Sequence, residues 1–283
     1  MTIIREYFSD SFSRFGLFVC ILYIAVAIFA PIFSPYNPWE NNMGADGTLA
    51  RLQPPSAQFL LGTTVYGQDV LSQLLLGTKQ ALIVGGVTAL IVGIIGTNVG
   101  LIAGYYGGMV DEILMRITDF VYAIPFLPFM MIVSAFIGRS TTIVIVAMAL
   151  IFWRTAARVV RAQVLTLKTR PYVTAARASG ASDVRIMYVH LLPNIVPLGM
   201  LYLIFSAALA IINEASLSFI GLGDPNSLSW GLMLNQAFAT GSIRVAWWWV
   251  VPPGAALMLL LVGIYFLCRG FEERANPRLK VKR

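Results

Sequence analysis

Six apolar runs, each near the ~20 residues that a helix needs to cross a bilayer core, dominate this chain. They lie at about 16–33, 80–104, 118–137, 141–160, 194–220 and 247–268. In hydrocarbon every backbone N–H and C=O must be paired within the protein, so continuous apolar runs of this length predict membrane-spanning α-helices. The overall balance agrees. Of the residues, 58% are hydrophobic and 12% charged, against about a quarter charged in soluble domains. Residues 1–15 carry charges ahead of the first run, but that run is too long for a signal-peptide core and lacks a small-residue cleavage site, so an uncleaved first span is expected. Spans two and five are long enough to tilt or protrude.

Sidedness follows from Lys and Arg. With the N-terminus placed in the cytoplasm, sixteen of the twenty fall on the inner side, seven of them between 154 and 193 and six in the tail 269–283. Only Arg51, Lys79, Arg139 and Arg244 fall outside. This bias is what the positive-inside rule asks for. It also accounts for the net charge of +7 without nucleic acid as a partner. Both termini and the loop 161–193 are therefore predicted cytoplasmic, and the segment 34–79 extracytoplasmic.

Within the inner loop, Pro171 to Pro193 reads PYVTAARASGASDVRIMYVHLLP. Pro171 suits a first helical position, where its missing N–H costs nothing. Ala175, Ala176 and Ser179 are small and share one helix face, a face that fits closely into a partner's groove. Gly180 supplies the backbone freedom that ends a helix. Ser182 with Asp183 reads as an N-cap and a first-turn acid. A helix, a break and a second helix are predicted, with Pro193 marking the return to the membrane. An ordinary amphipathic connector fits the same residues.

Thr174-Ala175-Ala176, Gly180 and His190-Leu191-Leu192-Pro193 resemble, spacing for spacing, the cytoplasmic Glu-Ala-Ala loop of ABC importer permeases. Thr174 stands in place of the acid and His190 in place of an isoleucine. Further stretches resemble the C-type permeases of dipeptide and oligopeptide importers. Leu61-Gly62-Thr63-Thr64 with Gly67-Gln68-Asp69-Val70-Leu71-Ser72 is similar to LGTDxxGRDVLSR, with Thr64 for the aspartate and Gln68 for the arginine. Gly104-Tyr105-Tyr106-Gly107-Gly108 with Asp111 and Leu114-Met115-Arg116 is similar to GYYGGxxDxxLMR. Glu214-Ala215 through Gly223, Ser229-Trp230-Gly231, and Asn276-Pro277-Arg278 resemble three further stretches of that family.

The resemblance implies an all-α membrane protein of six spans, the transmembrane domain of a type I importer. It assigns ATPase coupling to the loop carrying Thr174, Ala175, Ala176, Ser179, Gly180, Asp183 and Arg185. It further implies a second permease subunit in a heterodimer, two ATP-binding subunits that hold ATP and Mg, and an extracytoplasmic substrate-binding protein. The implied location is a prokaryotic inner membrane, and the implied substrates are dipeptides or oligopeptides, with nickel, glutathione and sugars carried by similar permeases. The chain itself has no GxxxxGK[ST] sequence, nucleophile elbow or HExxH. No catalytic residue, metal site or cofactor is expected in it.

Other residues stand out on chemical grounds. Asn98 sits inside span two among six glycines and must find a hydrogen-bond partner, either on the pathway or between helices. Glu214 is the clear intramembrane acid, a costly placement. It is expected at the outer mouth of the pathway or in an interhelical contact, unless it already lies in interfacial water. Asp111 and Glu112 read as solvated helix-end charges. Arg154, Arg158 and Arg161 share one helix face and suit lipid phosphates, a partner's acids, the coupling loop, or simple snorkelling. Pro125 and Pro128 interrupt span three and predict a kink. Asp69, Leu71, Leu74 and Leu75 start an amphipathic helix that leads into span two or lies on the membrane surface. Trp247, Trp248 and Trp249 suit an interface belt. A secondary transporter driven by an ion gradient is the alternative, but it would call for several intramembrane ionisable residues and inverted repeats.

Overall fold

The computed structural model describes residues 11–45 and 47–275, with side chains through Arg269. Most of the N-terminal segment 1–15 and the Asn276-Pro277-Arg278 sequence lie outside the described residues. The helices are α1 (Ser11–Phe33), α2 (Val70–Tyr106), α3 (Gly108–Ala123), α4 (Phe126–Phe136), α5 (Thr141–Leu167), α6 (Pro171–Ala178), α7 (Asp183–Phe219), α8 (Trp230–Ala239) and α9 (Trp247–Ala275). Five are long and apolar enough to cross a membrane, six if α3 and α4 are one bent span.

α2 is the axis of the bundle. Its glycines divide between two faces. A Cβ at Gly96 would lie 2.6 Å from the Ala156 Cβ, and one at Gly104 would lie 2.7 Å from the Val164 Cβ, both on α5. A Cβ at Gly85 would meet Ile211 of α7 at 2.6 Å. Lipid offers no hydrophobic drive for helix association, so close backbone approach at small residues supplies the contact. α1 meets α9 in the same way. Gly16 would carry a Cβ to 2.6 Å from the Gly263 carbonyl oxygen, and the Tyr23 hydroxyl donates to the Ala256 carbonyl at 2.7 Å.

Three expectations are sharpened by the structure. The helix that starts after Asp69 leads into span two as expected, the two being one 37-residue α2 and not a separate surface helix. The Asp69 carboxylate caps it by accepting from the Ser72 N–H at 2.8 Å and from the Ser72 hydroxyl at 2.6 Å. The run 118–137 is interrupted at its prolines, as expected, but by a sharp bend between two helices. α3 begins at Gly108 and turns through 82° into α4 at Ile124 and Pro125. Pro125 has no N–H to give and biases the residue before it toward extended backbone. Pro128 falls in the first turn of α4, where it does no harm. Finally, Trp248 and Trp249 do not belong to an interface belt. Both are buried, and only Trp247 is exposed.

The segment 34–69 is irregular but tightly bonded. Thr63 accepts from the Gln53 N–H and donates to the Ala50 carbonyl, and the buried Trp248 indole donates to the Thr63 carbonyl at 3.1 Å. Trp230, at the start of α8, donates to the Leu74 carbonyl at 3.1 Å and packs edge-on against Tyr23. The segment and α8 thereby close one end of the bundle; α6 projects from the other.

Candidate coupling site

α6 is held by strictly local chemistry. Pro171 occupies its first turn, and Arg170, the residue before it, is extended. At its far end the Ala181 N–H donates to the Ala176 carbonyl at 3.1 Å and the Gly180 N–H to the Arg177 carbonyl at 3.0 Å. These are the paired bonds of a Schellman motif, which needs a left-handed residue at its centre. Gly180 supplies it at φ +80°. Ser182 then caps α7, its hydroxyl accepting from the Arg185 N–H at 3.4 Å.

The second helix does not stop at Pro193. It runs on into the membrane-crossing part of α7 through a π turn over Ile186–Leu191, where the Leu192 N–H reaches back five residues to the Met187 carbonyl. Pro193 follows at once, in the first turn of the regular helix. A proline ring clashes with the carbonyl four residues before it, and the widened turn leaves room for it. The coupling segment and the span are thus one continuous element.

The segment buries one side and presents the other. Val173, Ile186, Met187 and Leu191 pack with Leu101 and Val164 into a core at this end of the bundle. Thr174, Ala175, Ser179, Gly180, Asp183 and Arg185 are exposed, and Ala176 is half-buried. The structure therefore brings the expected coupling residues together on one solvent-facing knuckle, with Tyr172 and Val184 exposed beside them.

Polar ties hold α2 to the end of α5 and to the knuckle. Lys168 donates from Nζ to the Gly104 carbonyl at 2.8 Å, in the last turn of α2, where a cation is favoured. The Tyr105 hydroxyl donates to Asp183 Oδ1 at 2.6 Å, while Arg177 Nη2 reaches the same hydroxyl at 3.4 Å. That hydrogen bond holds the Arg177 guanidinium above its already high ordinary value. A third tie comes from Asn98, whose Oδ1 accepts from the Tyr188 hydroxyl in the π turn at 2.7 Å. Asn98 has its partner, and that partner is another helix.

The arginine face of α5 does not touch the knuckle. Arg161 forms a bidentate pair with Asp111 at 2.5 Å, Arg158 pairs with Asp119, and Arg154 donates to the Val121 carbonyl at 2.7 Å. Arg154 and Arg158 also lie over the Tyr122 ring, at 4.5 and 4.0 Å from its centroid. All three clamp α3 onto α5. Asp111, expected to be solvated, is instead largely covered; Glu112 stays exposed and pairs with Arg116 at 3.9 Å.

Glu214 lies at the opposite end and is 5% exposed, so it is not in interfacial water. Its carboxylate accepts from the Ser218 hydroxyl at 2.7 Å and from Ser229, which also caps α8. The contact is interhelical, between α7 and α8. Sequence reasoning named Tyr105 only within a motif, without a role, and passed over Lys168 and Asp224. The last of these accepts from the N–H and hydroxyl of Thr141 at 3.0 and 3.1 Å, capping α5 from a distant loop.

Residues 96–281 match the model of the binding-protein-dependent transport system inner membrane component family, and residues 2–55 match the N-terminal transmembrane domain of oligopeptide transport permease C. Among individual proteins, the chain is 40% identical over 78% of its length to the glutathione transport system permease protein GsiD of Pectobacterium atrosepticum, covering 72% of that protein. It is 35% identical over 80% of its length to the oligopeptide transport system permease protein OppC of Bacillus subtilis, covering 72% of it. It is 35% identical over 94% of its length to the di/tripeptide transport system permease protein DppC of Pseudomonas aeruginosa, covering 88% of it. In fold it resembles a chain of the inward-facing MetNI methionine ABC transporter, with a TM-score of 0.56 at 19% identity over 72% of this chain and 95% of that one. The chain belongs to the family of inner-membrane permease components of binding-protein-dependent ABC transporters.

Proposed function

We propose that this permease forms half of the translocation pathway of an ATP-driven importer of dipeptides or oligopeptides. A second permease subunit supplies the other half, and an extracytoplasmic binding protein delivers the substrate. ATP and Mg are bound and hydrolysed on two separate subunits, one of which docks on the exposed α6–α7 knuckle. Both termini and the knuckle face the cytoplasm, as the Lys and Arg bias requires. The observation that carries the coupling role is the contrast within the knuckle: its inner side is packed and bonded to α2, while Thr174, Ala175, Ser179 and Gly180 stand free of the chain's own core.

The peptide substrate is supported by the oligopeptide and di/tripeptide relatives, and glutathione, named for another relative, is itself a small peptide. Glu214 is assigned to holding α8 against α7 at the outer end, and Asn98 to joining α2 with the π turn.

Copurification from mild detergent tests the docking role. Wild type brings down two ATP-binding subunits and a second permease. Ala175→Trp places a large ring on the exposed face without touching the core and releases the ATP-binding subunit docked there while the second permease stays. Copurification of both partners at wild-type levels with Ala175→Trp would place the docking site elsewhere. Uptake of labelled trialanine, challenged in turn by other tripeptides and by glutathione, then sorts the substrate.

A further inference from the structure

Tyr105 is in the right place to do more than pack. It is the penultimate residue of α2 and is 7% exposed. Its phenol reaches across to both limbs of the knuckle at once. On one side it donates to Asp183, in the first turn of α7; on the other it accepts from Arg177, in the last turn of α6, whose guanidinium also lies 5.9 Å from the ring centroid. α6 has only Val173 buried to fix it, and a helix of eight residues is too short to hold its own shape. Its orientation relative to α2 therefore depends on side chains from outside. Lys168 fixes only the end of α5, by bonding the Gly104 and Tyr105 carbonyls. Asn98 bonds α2 to the π turn farther along α7, and Leu101 packs on the inner side; the Tyr105 hydroxyl is the polar group of α2 that reaches both limbs of the α6–α7 turn.

We propose that Tyr105, Asp183 and Arg177 form a latch that carries movement of the α6–α7 knuckle into α2. Tyr105 is a positioning residue: it touches neither nucleotide nor substrate but makes the knuckle and α2 move as one body. This rests on the importer reading, since the movement it passes on is the one ATP imposes on the docked subunit. With the phenol bond intact, a displaced Asp183 takes the end of α2 with it. α2 packs along both α5 and α7, so the displacement spreads through the bundle. Without the bond, the end of α2 follows the knuckle far less, since what remains is the Asn98–Tyr188 bond and the packing of Leu101.

Hydrogen exchange on the purified full complex, with and without ATP, reads this directly. In wild type, ATP changes exchange both in 171–185 and in 101–106. In Tyr105→Phe, which keeps the ring and removes only the hydroxyl, the change in 171–185 persists and that in 101–106 falls about tenfold, the scale of one charge-assisted hydrogen bond acting as a coupling. Asp183→Leu has the same effect, and the double variant is no worse than either single variant. Asp183→Asn retains an oxygen for the phenol and restores transmission to within about twofold. An ATP-driven change in 101–106 that survives Tyr105→Phe overturns the latch, as does a double variant whose losses multiply. A wild-type chain that copurifies with no ATP-binding subunit overturns the importer reading instead, and the latch's role in coupling with it.

Discussion

Single residues in this permease are costly where they are both polar and enclosed. Glu214 is such a case. Two hydroxyls, from Ser218 and Ser229, donate to its carboxylate in a covered position between α7 and α8. Glu214→Gln leaves an amide oxygen for those donors. Glu214→Leu leaves both hydroxyls without an acceptor, at a cost of about 1–3 kcal/mol for a stranded buried group. Thermal unfolding in detergent is expected to show Glu214→Leu well below wild type and Glu214→Gln close to it. If Glu214→Gln melts like wild type but abolishes uptake, the acid belongs to the transport pathway and not to the α7–α8 contact. Trp230 follows the same logic on a larger scale. Its buried ring bonds Leu74 and meets Tyr23. Trp230→Ala opens a cavity where α1, α2 and α8 converge, and it is expected to lose about 3–5 kcal/mol, read as a lower melting temperature.

At the level of elements, the α3–α5 clamp separates an ion pair that matters from one that does not. Arg161 and Asp111 are 33% and 16% exposed and bidentate, whereas Arg158 and Asp119 are 46% and 54% exposed. Exposed pairs contribute about 0–1 kcal/mol, while removing one partner of a covered pair strands the other. Arg161→Ala is therefore expected to loosen α3 and raise its protease sensitivity, and Arg158→Ala to change it little. Equal sensitivity in the two variants would show that α3 is held by packing alone. None of this was legible in the sequence. The arginine spacing along α5 was plain, but its partners lie 39 and 50 residues away, and their register is set by how α3 turns against α5. The knuckle was legible for the opposite reason. A proline at a helix start, a glycine at a helix end and a serine cap act within a few residues of themselves, so Pro171, Gly180 and Ser182 declare their roles locally. What lay beyond those rules was the continuity of α7 through Pro193, which depends on a π turn that no residue type announces, and the reach of Tyr105 across 78 residues to Asp183.

For the whole molecule, the two ends of the bundle are built differently, and their placement decides the mechanism. One end is closed by the bonded segment 34–69, by α8 and by buried tryptophans. The other carries a short exposed helix tied to α2 through Arg177 and Tyr105, beside the bonds that join α2 to α7 and to the end of α5. A rigid closed end and an adjustable knuckle suit a machine driven from the knuckle side, provided that side is the cytoplasm, where ATP is. The charge bias predicts this orientation, and thiol labelling measures it. In a chain with Cys20 and Cys268 replaced by serine, Ser179→Cys and Met43→Cys are both exposed at opposite ends. A membrane-impermeant maleimide added to right-side-out vesicles is expected to label Met43→Cys and to reach Ser179→Cys only after permeabilisation. The reverse pattern would put the knuckle outside. Neither ATP-driven subunits nor a latch from the knuckle to α2 would then have any force to transmit, however well the family and the fold agree.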